Sequence, residues 1–130
     1  MEAVDYYVEK ARAGSLEEAF HGLRELSPDA ISAMQSAYLD EDAPIVRALL
    51  VEAIWQHRQH SAIDFLAAAL QDPAPVVWRQ ALDGLVALAS PASIQSLRTA
   101  GRREADAERR VWIEEAVDQA AETVAGQAPS

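Results

Sequence analysis

Apolar residues recur along this chain at spacings of three and four, in runs cut by proline, glycine and short acidic turns. Val4, Val8 and Ala11 predict a helix over about Glu2 to Ala13, closed by Gly14. Leu16, Ala19, Phe20, Leu23 and Leu26 predict a second, opened by Ser15 with Glu18 three residues on in a capping-box pattern. Ser27-Pro28 places a cap and then proline at a first helical position, and a third helix continues through Ile31, Met34, Tyr38 and Leu39. Asp40-Glu41-Asp42 and Pro44 start a fourth, which runs through Ile54 to about Arg58, and a fifth covers about Ser61 to Leu70. After Asp72, Pro73 and Pro75 comes a sixth ending near Ala89. Ser90-Pro91 opens a seventh that Gly101 closes, and the last covers about Glu104 to Val124. No segment alternates as a half-buried strand does. The pattern predicts an all-α chain of seven to eight helices in three to four antiparallel pairs: one domain over residues 1–125 and a flexible tail over 126–130.

The helices repeat. Leu39-Asp40-Glu41-Asp42-Ala43-Pro44-Ile45-Val46-Arg47 returns as Leu70-Gln71-Asp72-Pro73-Ala74-Pro75-Val76-Val77-Trp78-Arg79, with the prolines 31 apart and the arginines 32 apart. Alternate helices repeat as well, Ile31, Ile63 and Ile94 standing 32 and 31 apart. A third, degenerate copy of the longer helix starts near Ala107, with Val111, Trp112, Ala116 and Val117 in the apolar places. Helix pairs with a single apolar stripe each cannot bury it alone, so the repeat predicts a stack, a short α-solenoid.

These residues resemble the short HEAT-like repeats of the variety also found in phycobilisome lyases, over about Ser15 to Val124. Leu39, Asp40, Val46, Arg47, Ala53 and Ile54 follow that pattern, as do Leu70, Asp72, Arg79, Leu82, Leu85 and Val86, with Trp78 standing where the pattern has valine. Leu50 and Leu82 are larger than the alanine the pattern prefers. The resemblance implies a helical solenoid whose shorter helices line the concave side, with Ser32, Gln35, Ser36, Asp64, Ala68, Gln95 and Arg98 facing outward.

Composition narrows the chemistry. The chain has 27 alanines against 5 glycines and 6 prolines, a helix-forming balance. It has no cysteine, which excludes disulfides, thiolate metal sites and a cysteine nucleophile. Its net charge of −10 opposes a surface built to neutralise phosphates, so nucleic acid is not an expected partner, and HEAT-like DNA glycosylases are similar in architecture alone. The acidic N-terminus lacks a signal-peptide pattern, and the most apolar run, Ala62 to Leu70, carries Asp64 and is too short to span a bilayer, so a cytoplasmic protein without membrane contact is expected. The charge is uneven: residues 1–42 carry 10 acids and 3 bases, residues 43–98 carry 4 of each, and residues 99–130 carry 7 and 4.

Candidate catalytic and metal sites are thin. His57 and His60 would share a face with Asp64 only on an unbroken helix, and the repeat places a break near Gln59. HEAT-repeat di-iron hydroxylases use His-Glu pairs, whereas the neighbours here are His21-Gly22, His57-Arg58 and His60-Ser61. No phosphate loop, nucleophile elbow or zinc signature occurs. The expectation is a non-catalytic chain with no metal and no cofactor. The candidate binding residues are the acidic run Asp40, Glu41 and Asp42, the aromatic Trp55, and Gln35, Asp64 and Gln95 on the shorter helices. Together they suggest a small acidic protein–protein interaction module whose partner has a basic surface, in one form an immunity- or antitoxin-like neutraliser. The alternative is a lyase-type or chaperone-like subunit that assists chromophore or cofactor attachment. Oligomeric state is left open.

Overall fold

Four prolines set where helical segments begin. Pro28, Pro44, Pro75 and Pro91 each stand in a first turn, where a missing N–H leaves no bond unmade. The computed structural model describes residues 2–127. Its eight α-helices are α1 Ala3–Arg12, α2 Leu16–Glu25, α3 Ile31–Asp40, α4 Pro44–Gln56, α5 Ile63–Ala69, α6 Pro75–Leu88, α7 Pro91–Arg103 and α8 Ala107–Gln127, with no strand among the described residues. Short 3-10 turns at Pro28–Ala30 and His60–Ala62 lead into α3 and α5. Helix α7 passes through Gly101, which the sequence reading takes as its end. Helix α8 includes Gly126 and Gln127, the first two residues of the expected tail, while the rest of that tail lies outside the described residues.

Local chemistry explains the corners. The Ser15 side chain makes no cap bond, so the expected capping box with Glu18 is absent. The chain turns there on Gly14, whose φ of +100° suits glycine alone, with Gly14 N–H donating to the Ala11 carbonyl (3.0 Å) and Ser15 N–H to that of Lys10 (2.9 Å). A reciprocal box does occur at α7: Ser93 N–H donates to Ser90 Oγ (3.1 Å) and Ser90 N–H to Ser93 Oγ (2.8 Å).

The helices form two layers. α2, α4, α6 and α8 pack side by side in one, while α1 meets α3 and α5 meets α7 in the other. Each helix of the first layer also packs on its predecessor in the chain, which is the short α-solenoid the repeat predicts. Helix α4 is the spine. Leu50, Ala53 and Ile54 pack with α1–α3, and Ala48 and Val51 pack with α5–α8, so this helix is apolar on nearly every side. Tyr38 and Phe65, in edge contact at 5.2 Å, join the two halves of the core.

The structure also resolves the repeat register. Pro44 and Pro75 both open their helices, and Val46 and Val77 are both buried, so the longer helices repeat at 31. Trp78 therefore takes the place of Arg47 rather than that of Val46, although it is buried, as its apolar bulk requires. The 32-residue step between Ile31 and Ile63 marks one additional residue in α3. That residue carries Tyr38 into the place Leu70 holds one repeat later, and it turns Leu39 out to solvent at 80% exposure, off the apolar stripe.

Layer packing brings backbone close at Gly84, where an added Cβ would lie 2.7 Å from Trp55 Cβ. Gly84→Ala should lower stability by about 1–3 kcal/mol through overpacking, outweighing the roughly 1 kcal/mol helix-propensity gain. Gly126→Ala, with open space around it, should be neutral or stabilising by up to about 1 kcal/mol. Urea denaturation of the two variants checks the opposite signs.

Candidate functional site

Acidic turns join the repeats, and they are mostly occupied from within. Asp72, buried before α6, accepts the Ala74 N–H (2.9 Å) and the Tyr38 hydroxyl (2.6 Å), and receives the Arg47 guanidinium through two bonds of 3.0 and 3.2 Å. Arg47 also donates to the carbonyls of Glu41 (3.2 Å) and Asp42 (2.8 Å), so one side chain ties its own turn to the next. Glu41 is the equivalent acid one repeat earlier. It accepts the Ala43 N–H (3.1 Å) and pairs with Arg12 of α1 at 2.7 Å. At the third turn Arg109 donates to the carbonyls of Pro73 (3.0 Å) and Leu70 (3.4 Å).

These contacts set the charge states. Burial opposes the ionised form of Asp72, but the bonds from Arg47, Tyr38 and Ala74 outweigh it and hold the carboxyl below its ordinary range. Burial likewise opposes ionised Glu41, and the Arg12 and Ala43 bonds with the Arg12 and Arg47 charges bring it below its ordinary value. Burial and the hydrogen bond to Asp72 push the Tyr38 hydroxyl well above the usual tyrosine range.

The candidate residues therefore divide. Asp40 and Asp42 are exposed, while Glu41 between them is 7% exposed and its carboxylate is paired with Arg12 within the fold. Trp55 is half-buried, its indole N–H donating to Gln80 Oε1 (3.0 Å) and its Cβ and ring against Gly84, so it bridges α4 and α6 rather than standing free as an anchor. Gln35, Asp64 and Gln95 lie on α3, α5 and α7. Gln95 lines a groove with Ala67, Ala68, Gln71 and Thr99. His57 and His60 are separated by the end of α4, where Arg58 has φ of +56°, and His57 Nε2 donates to the Leu23 carbonyl (3.1 Å). No group of three or more histidine or carboxylate side chains among the described residues is placed to hold a metal ion, and no helix is long and apolar enough to cross a membrane.

A surface the sequence reading does not single out lies on the opposite layer. Leu16 and Phe20 of α2, Ile45 and Leu49 of α4 and Val76 of α6 line an open groove of about 320 Å³. Ile45 and Val76 are 51% and 42% exposed and follow the helix-opening prolines of successive repeats, a recurrence that the sequence displays. Glu17 and Glu52 stand on its walls. Burial, with neighbouring Asp83 adding to it, raises the Glu52 carboxyl above its ordinary value, and burial raises Asp83 as well.

A family model described as HEAT repeats matches residues 31–118, about two-thirds of the chain. No curated protein and no solved structure matches it.

The two kinds of carboxylate respond to acid oppositely. Asp72 and Glu41, with lowered folded values, stabilise the fold fully above their unfolded range, and that contribution fades as pH falls through the folded values. Glu52 and Asp83, with raised folded values, weigh against the fold once ionised, and the fold gains as pH falls through their range. Asp72→Asn should cost about 3 kcal/mol or more at neutral pH, because it strands Arg47, and the loss should shrink toward acid pH. Glu52→Gln should not destabilise at neutral pH, and any gain should vanish where Glu52 is already protonated. Thermal denaturation of both variants across the acid-to-neutral range checks these signs.

Proposed function

The chain belongs to the HEAT-repeat family, and we propose that it is a non-catalytic interaction module, a single domain over residues 1–125, whose partner is a protein with a basic surface. HEAT repeats generally mediate protein–protein interaction, since stacked helix pairs present long surfaces that no single repeat could hold in shape. The observation that carries the choice of partner is the acidic surface of the first two helix pairs. Asp5, Glu25, Asp29, Asp40 and Asp42 are exposed there, and none takes part in an ion pair among the described residues. With a net charge of −10, such a surface attracts cationic proteins from a distance and repels nucleic acids and anionic membranes. In its concrete form the module is an immunity- or antitoxin-like cytoplasmic protein that covers a cationic partner.

Affinity capture from a lysate of the source cell, at low and high salt with mass spectrometry of what is retained, tests this reading. One stoichiometric protein of basic pI, held at low salt and weakened by the paired Asp40→Asn and Asp42→Asn changes, is the expected outcome. A bound chromophore or other small molecule with no protein would overturn it in favour of the lyase-type role.

A further inference from the structure

The geometry points to the groove between α2, α4 and α6 as the docking site for an amphipathic, lysine- or arginine-bearing segment of the partner protein, whose apolar side chains seat on Ile45 and Val76. The inference rests on the interaction-module reading above and gives it a surface and a chemistry.

Three observations converge on this occupant. The floor is apolar and open: Leu16, Phe20, Ile45, Leu49 and Val76 come from three helices that pack together, yet Ile45 and Val76 keep about half of their surface in water. Apolar side chains held side by side at the surface of a rigid scaffold are what a partner's aliphatic residues can bury. The charged rim, in contrast, is acidic. Glu17 and Glu52 line the groove beside the neutral Gln80, whose carbonyl is taken by Trp55, and Asp83 stands next to Glu52 at the same place in the following repeat. Glu17 has only the neighbouring His21 imidazole at 3.8 Å, and Glu52 and Asp83 take part in no ion pair among the described residues.

The charged residues that line the groove, Glu17 and Glu52, select for cations. No arginine or lysine lines it among the described residues; Arg24, Arg58 and Arg79 lie over the rings of Phe20, Trp55 and Trp78, contacts that leave their charge in place. An anionic lipid surface or a second copy of this acidic chain would bring like charge to Glu17, Glu52 and Asp83. A segment with lysine or arginine beside its apolar residues satisfies floor and rim together, and the partly buried Glu52 carboxylate responds more strongly to such a cation than a fully solvated one would.

A fluorescent amphipathic peptide of leucine and lysine in helical spacing serves as the probe, titrated by anisotropy into the full chain, with a leucine–glutamate peptide of the same pattern as the comparison. Saturable binding of the lysine peptide alone is expected. The Ile45→Ser, Val76→Ser double variant should weaken it at least about tenfold, as loss of two anchors does. The Glu52→Gln, Asp83→Asn double variant should weaken it and flatten its salt dependence, and a Ser32→Ala, Ser36→Ala variant at exposed positions of α3 should leave it unchanged. The altered groove residues are partly or largely exposed, and circular dichroism of each variant separates lost binding from lost fold. No saturable binding, equal binding of the glutamate peptide, or binding indifferent to the groove variants would overturn the proposal, as would a self-association that Val76→Ser abolishes. A natural partner captured equally by wild type and by the Ile45→Ser, Val76→Ser variant would sink the groove while leaving the interaction module standing. Failure of the wild type to capture any protein would sink the module itself.

Discussion

The bond between Arg47 and Asp72 is the constraint on which the stack depends. A helix pair that buries one stripe can slide or rotate against the next pair with little change in apolar area, because the hydrophobic effect has no direction. The Arg47 guanidinium removes that freedom. Its planar fork takes both oxygens of Asp72 while its remaining donors hold the carbonyls of Glu41 and Asp42, which fixes the offset between consecutive turns. Arg12 on Glu41 and Arg109 on the carbonyls of Leu70 and Pro73 extend the same seam in both directions. With the turns spaced, the apolar faces of α4 and α6 meet in one register and the core closes around Leu50, Val51, Val77 and Leu85.

Helix boundaries were legible in the sequence because their causes are local. Proline in a first turn, glycine past a last turn and apolar residues every three to four positions act within one helix, and Gly14, Pro44 and Pro75 mark theirs correctly. What depends on neighbours was not legible. The additional residue in α3 shifts the register by a third of a turn, and only the packing shows that Tyr38 takes the inward place and Leu39 the outward one. Asp40, Glu41 and Asp42 are alike in sequence, yet Glu41 alone turns inward, because Arg12 arrives from 29 residues away. Ile45 and Val76 are as apolar as the buried Val46 and Val77 beside them, and their position one residue after a helix-opening proline leaves them on the outer face.

Substituting Trp78 for the repeat's arginine shows how the seam tolerates variation. At the place of Arg47, Trp78 replaces directed hydrogen bonds with a ring, which Arg109 and Arg79 approach at 5.1 and 5.4 Å and Trp112 meets edge-on at 5.9 Å. Cation–π and edge contacts restore part of the attraction, although the buried indole N–H finds no partner among the described residues. The link from this turn to the next is then made by Arg109 reaching back to backbone carbonyls, which accept hydrogen bonds whatever the side chain beside them.

The same residue types behave oppositely on the two sides of the molecule, and that difference separates scaffold from surface. Burial disfavours the ionised form of Glu41, Asp72, Glu52 and Asp83 alike, but at the turns arginines and backbone N–H groups reverse it, whereas on the outer face of α4 and α6 nothing does. A carboxylate such as Glu52 that has already lost part of its water in the free protein has less to lose when a cation docks, so part of the desolvation cost of association is carried by the fold. The turn seam helps to hold α4 and α6 in place beside it. A rigid stack can therefore hold an apolar floor and unpaired acids side by side at its surface, and the 31-residue spacing that places Ile45 beside Val76 also places Glu52 beside Asp83.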